Sequence, residues 1–148
     1  MSIDPGSDTL GLTLLTVDLR NGQITVQYSS THEASRMLRY LPMGYEDAHG
    51  AMRSRMYCHQ QMLVDMMMQF RPHTVIAESA FLKKRFPRAF EVLIVGLEMI
   101  RGALRIYNPT MVLETVEPSA AKKAVGHKGN SKDKEGVHQC VINYPGLI

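Results

Sequence analysis

Two carboxylates stand where short strands end. Asp4 closes a brief apolar stretch with Ile3, and the breaker Pro5-Gly6-Ser7 follows at once. Glu78 closes the run Thr74-Val75-Ile76-Ala77, made of apolar or β-favouring residues. If the two segments pair in parallel, both acids emerge at the same edge of a sheet. Acids grouped in this way repel each other, and a cation offsets the repulsion. Mg²⁺ suits such a place because it takes carboxylate oxygen and keeps several waters. Two such ions about 3.5–4 Å apart can stabilise the attacking and leaving oxygens of a phosphodiester displacement. Taken singly, Asp4 reads as a turn former and Glu78 as a solvated strand end. Only the pair makes a site.

The elements that must position this pair follow from the hydrophobic pattern. Residues 10–17 are strand-like, Asn21-Gly22 signals a tight hairpin with both central residues at positive φ, and residues 24–28 alternate as the returning strand. With the opening stretch they make an antiparallel meander. From about residue 47 the period changes. Met52, Met56, His59, Leu63, Met66 and Phe70 recur at steps of four and three on one helix face, and Pro72 stops the helix. The methionines read as adaptable core, and His59 as a half-buried histidine with its hydrogen bonds satisfied. After strand 74–78 comes a helix over 89–106 that is apolar on most of its surface. Such a helix is buried on more than one side. One side is expected on the sheet, the other against a partner subunit or a second helix of the chain. Residues 111–116 form a fifth strand, 118–125 a helix with Pro118 in its first turn, 126–131 a basic loop and 133–142 a short helix. The outcome is one mixed α/β domain over residues 1–148, with no internal repeat or linker.

Composition sets the outer limits. The chain has 148 residues, 45% hydrophobic and 21% charged, which excludes a disordered tail or a collagen-like fibre. Cys58 and Cys140 lie too far apart in sequence to form a metal-ligand pair, and free thiols lead us to expect a reducing, cytoplasmic compartment. No eighteen-residue apolar run is present, so no membrane partner is expected, and the opening residues show no signal-peptide pattern. Net charge is +3 but uneven: −3 over residues 1–50, then +3 over each of 51–100 and 101–148. An acidic start and a basic remainder fit a site that holds cations and also approaches a polyanion.

Three blocks carry a resemblance. Ile3-Asp4-Pro5-Gly6-Ser7 resembles the opening motif of the bacterial and phage RuvC family of Holliday-junction resolvases. Val75-Ile76-Ala77-Glu78-Ser79-Ala80-Phe81 resembles that family's second acidic motif. Pro118-Ser119-Ala120-Ala121-Lys122-Lys123-Ala124-Val125-Gly126 with Lys132-Asp133-Lys134-Glu135 resembles its basic third region. The resemblance implies a ribonuclease-H-like mixed five-stranded sheet of order 3-2-1-4-5, strand 2 antiparallel, flanked by helices. It implies a homodimer, placed here on helix 89–106, that cuts four-way DNA junctions with Mg²⁺ (two ions per site, Mn²⁺ able to substitute) during recombination and repair. Asp4 and Glu78 would be the catalytic metal ligands. A metal-activated water would attack in line and leave a 5′-phosphate. Lys122, with Lys123 beside it, and Lys134 or Lys132 would contact the scissile strand, where phosphate neutralisation supplies most of the affinity. Phe81 would wedge between bases at the junction centre, at a cost of about a few kcal/mol recovered through other contacts. Lys83, Lys84 and Arg85 beside it would meet phosphates.

One part of the family pattern is missing. The closing helix with a pair of aspartates has no counterpart before Ile148, and only three residues precede Asp4. We therefore expect a fragment of a longer reading frame, truncated after residue 148 and short at its start, with some apolar surface left uncovered. Two further readings stay open: a catalytically silent junction-binding protein of the same fold, and the related nuclease domain of a transposase. An actin-like nucleotide-binding domain is excluded by length and by the lack of a second glycine loop.

Overall fold

The computed structural model describes residues 1–80, 87–129 and 133–148. The alternating segments at the start become β1 (Ser2–Pro5), β2 (Thr9–Val17) and β3 (Ile24–Glu33), an antiparallel meander. β4 (Val75–Glu78) joins β1 in parallel and β5 (Leu113–Val116) joins β4 in parallel. The order is β3-β2-β1-β4-β5, as the sequence leads one to expect. The main chain of Gly146 and Ile148 returns to hydrogen-bond both sides of Ile24, at 2.7 and 2.9 Å, at the start of the edge strand β3.

Among the described residues six helices accompany the sheet: α1 (Ser35–Leu38), α2 (Tyr45–His49), α3 (Ala51–Phe70), α4 (Pro87–Tyr107), α5 (Pro118–Ala124) and α6 (Lys134–Ile142). The long pair, α3 and α4, packs on one sheet face. Ile3, Leu10, Leu12, Val75 and Ala77 point into that face and meet Met56, Leu63, Met67, Leu97, Ile100 and Leu104. Period-2 alternation makes this possible, since the inward residues on β1, β2 and β4 are apolar while most of their neighbours, Ile76 apart, are not. Burying a side chain the size of Leu63 or Ile100 contributes about 1.5–3 kcal/mol, so this layer dominates stability.

Three expectations need correction. The Asn21-Gly22 connection is longer than a two-residue turn: Asp18 and Gln23 close it, with Gly22 at φ 73° and Asn21 outside the positive-φ region. Asn21 instead accepts the Gln23 N–H on its side chain at 2.9 Å, an Asx turn that removes the need for a second positive φ. The helix near residue 47 is two helices, broken at Gly50, and the preceding α1 carries no long periodic signal. The buried face of α3 is rotated toward Ser54, Cys58, Met62 and Met67, because α3 faces both the sheet and α4. That arrangement also answers the question posed by the two-sided helix. The second side of α4, through Gly96, Met99 and Ala103, is buried within the chain. No helix among the described residues is long and apolar enough to cross a membrane.

Ile100→Ala should lower stability by about 2–5 kcal/mol, read from the midpoint of urea unfolding.

Candidate active site

The register of the sheet brings the two acids together. Ser2 pairs with Ile76 and Ile3 with Ala77; one step further along both strands stand Asp4 and Glu78. Neighbouring strands lie about 4.8 Å apart, so side chains in step on one face come within reach of a single ion. Ile3 and Ala77 point into the helical layer, so Asp4 and Glu78 share the opposite face. That face is polar and open: Ser29, Thr31, Ser2 and Glu114 are exposed on it, and Thr13 Oγ1 lies 3.3 Å from Ser29 Oγ. Its apolar spots include Leu15, Val26, Ile76 and Val116, 36–44% exposed.

Glycine makes room for the acid. Gly11 pairs opposite Asp4, and a Cβ there would sit 3.3 Å from the Asp4 Cβ. On the helical side, a Cβ at Gly96 would meet the Pro5 Cβ at 3.2 Å, so α4 presses directly against the residue after Asp4. Asp4 is thus held between two close approaches, one beside it and one behind its strand. Hard carboxylate oxygens from two adjacent strands, facing solvent that can complete the coordination, fit a Mg²⁺-type ion. Among the described residues no group of three acidic, histidine or cysteine side chains comes together in metal-binding fashion.

The turn after Asp4 is gripped from several directions, and sequence reasoning missed most of these residues. The Asp8 carbonyl accepts the Ala34 N–H at 2.8 Å, and Asp8 Oδ1 lies 3.1 Å from Arg55 Nε. His59, one helical turn beyond Arg55, is fully buried, and neither ring nitrogen has a hydrogen-bond partner. The sequence reading of a half-buried, satisfied histidine therefore fails on burial, and the only partner within reach is the Ser7 main chain, outside full hydrogen-bond geometry. A polar group left in this state costs about 1–3 kcal/mol. Burial pushes the His59 pKa down, the Ser7 backbone and Asp8 act upward, and His32 adds to the fall. His32, whose Nε2 is 2.7 Å from Ser30 Oγ, is likewise pushed down by burial. The visible signal was Arg55 and His59 at a spacing of four, a polar pair facing inward on a helix otherwise rich in methionine.

The residues expected to meet DNA divide into two groups. Phe81, Lys83, Lys84, Arg85 and Lys132 lie outside the described residues. Lys122 and Lys123 occupy the last turn of α5, and Lys134 opens α6. A clasp brings the ends of this region together: the buried His127 places Nε2 3.3 Å from Asp133 Oδ2, while Asp133 Oδ1 accepts the Gly136 N–H at 2.8 Å. The Gly136 N–H and then His127 hold the Asp133 carboxyl below the usual range. Asp133 thus serves as a helix cap, recognisable in the sequence as Asp three residues before a helical N–H donor. The exposed Lys128 belongs with this group, although its sequence context, the basic loop 126–131, does not single it out.

Comparison with solved structures supports the architecture. The chain is similar to Thermus thermophilus RuvC in complex with a Holliday junction substrate, at TM-score 0.70 and 21% identity, over 99% of this chain and 78% of that one. A second Thermus thermophilus RuvC structure gives 0.68 and 21%, over 98% and 78%. The yeast mitochondrial Holliday junction resolvase gives 0.64 and 12%, over 99% of this chain and 61% of that one. The chain therefore has the ribonuclease-H-like fold of the RuvC resolvases. No family model matches the sequence, and no curated protein matches it.

His59 and the half-buried His32 fix a pH response. Their native pKa values lie below the ordinary one, so the unfolded chain binds more protons as pH falls. Stability should hold above about pH 7 and decline below about pH 6.5, with Asp8, Arg55 and the Ser7 backbone as the polar surroundings. His59→Leu should flatten that acid limb in thermal unfolding followed against pH, leaving the share of His32.

Proposed function

We propose that the chain is a Mg²⁺-dependent endonuclease that resolves four-way DNA junctions by paired phosphodiester hydrolysis. The observation that carries this reading is the in-step placement of Asp4 and Glu78 on the open face of a sheet with resolvase topology. Asp4 and Glu78 would hold the metal, with Mn²⁺ able to substitute. The bound ion would supply charge neutralisation at the scissile phosphate and a lowered pKa for its attacking water. The protein's own contribution is position. The strand register sets the two acids at one spacing, Gly11 keeps the space beside Asp4 clear, and the open face admits a polymer. Lys122, Lys123, Lys128 and Lys134, on α5, α6 and the segment between them, would neutralise phosphates of the bound strand.

Two matched cuts call for two matched sites, and a two-fold dimer supplies them. The surface that supports self-association is an open groove along the outside of α3 and α4. It is lined by Arg53, Tyr57, Ile94, Val95 and Glu98, with Tyr57 37% and Ile94 43% exposed. We place the proposed helix 89–106 interface on the outer edge of α4 together with α3.

A second reading has its own support. The described residues present a pair of acids without a third ligand. Binding of junctions without cutting is the corresponding function.

Nicking of a labelled synthetic four-way junction at saturating Mg²⁺ decides between them. Asp4→Asn and Glu78→Gln should each reduce nicking to the detection limit while leaving junction affinity near that of the unmodified chain. Ordinary turnover by either variant removes that residue from the site. Junction binding without any nicking by the unmodified chain favours the second reading. Separately, Lys122→Ala with Lys123→Ala should lower the slope of log affinity against log salt by roughly 1 per lysine, measured by fluorescence anisotropy.

A further inference from the structure

The turn that leads out of Asp4 is set from behind by α3. Its two ends are fixed by main-chain and packing contacts, Pro5 against Gly96 and the Asp8 carbonyl on the Ala34 N–H. Its middle rests on polar groups that are not saturated. Arg55 Nε is buried and 3.1 Å from Asp8 Oδ1, yet in a geometry that falls short of a hydrogen bond. His59 is wholly buried; neither ring nitrogen reaches full hydrogen-bond geometry, and its nearest approach to a partner is a loose hydrogen bond to the Ser7 main chain, with Asp8 adding a charge effect. Unpaired buried polar atoms oppose folding, and where they persist beside a candidate site they call for an explanation. Leucine would fill the position of His59 without leaving unpaired atoms.

We propose that His59 and Arg55 are positioning residues for Asp4: they set the Pro5–Asp8 turn and, through it, the direction of the Asp4 carboxylate toward Glu78. The inference rests on the reading of Asp4 and Glu78 as metal ligands. Neither residue is on the open face, so neither touches metal or DNA; their effect passes through Ser7 and Asp8. A purely structural role makes a different forecast. In that case, removing the unpaired atoms of His59 holds or raises stability and leaves affinity for a divalent ion unchanged.

The test is calorimetric titration of the intact chain with Mn²⁺ alone, without DNA, paired with thermal unfolding of each variant. His59→Leu is expected to unfold at the same or a higher temperature and to bind Mn²⁺ about tenfold more weakly. Arg55→Gln is expected to weaken binding to a similar degree. His59→Gln, which keeps a side-chain donor, and Arg55→Lys, which keeps the charge, should recover part of the loss. Unchanged affinity in both His59→Leu and Arg55→Gln overturns the proposal. So does a loss that the conservative variants fail to recover, since that marks packing alone. If His59→Leu does not fold, the Arg55 pair carries the test. Lack of Mn²⁺ binding by the unmodified chain has a separate meaning: it removes the metal site, and this inference falls with it.

Discussion

Successive side chains of a strand point to opposite faces, so a one-residue slip between β1 and β4 would move one acid into the helical layer and leave the other outside. The account of this protein depends on that register being right. Ile3 beside Ala77 commits both strands to bury those side chains, and the next residue on each must then emerge together on the far face. The strands are only four residues long, so little of the specification comes from their own hydrogen bonds. It comes from the apolar layer below, where Ile3, Val75 and Ala77 pack among Leu63, Leu97 and Ile100. Stability and site geometry are therefore one problem: the residues that make the core also fix where the carboxylates point.

The two faces of the sheet have divided the work. The face under α3 and α4 is apolar and closed. The other carries serine, threonine and the acids, and remains open to solvent. A polymeric substrate needs that openness, since a duplex arm cannot enter a closed cavity. The same division explains why helix α3 bears polar residues at its inner surface near the turn. Asp8, Arg55 and His59 sit where the closed layer reaches the end of β1, at the junction between packing and site.

Much of this was legible in the sequence because it follows from short-range rules. Ile3-Asp4-Pro5 gives an inward residue, an outward acid and a stop, and Val75-Ile76-Ala77-Glu78 repeats that alternation. The long helices followed from periodicity, and the strand order from the resemblance of three motifs. What could not be read were contacts between distant segments. Gly11 looks like an ordinary residue of a strand until Asp4 is placed beside it. The state of His59 depends on Ser7 and Asp8, some fifty residues away, and on how tightly the layer closes around them. The Asn21 loop was misread because an Asx turn can replace a second positive φ, a choice that composition alone does not reveal. The clasp between His127 and Asp133 was half visible, as a helix cap, but its histidine partner was not.

The claim on which everything else rests is that Asp4 and Glu78 share a divalent ion. The most direct measurement is a crystal structure of the unmodified chain soaked in Mn²⁺, with anomalous scattering used to locate the metal. The account predicts an anomalous peak bridging the two side chains, at roughly 2.1 Å from an oxygen of each, the distance typical of an Mg²⁺-type site. A peak bound to one acid alone, or a metal found only elsewhere on the chain, would contradict it.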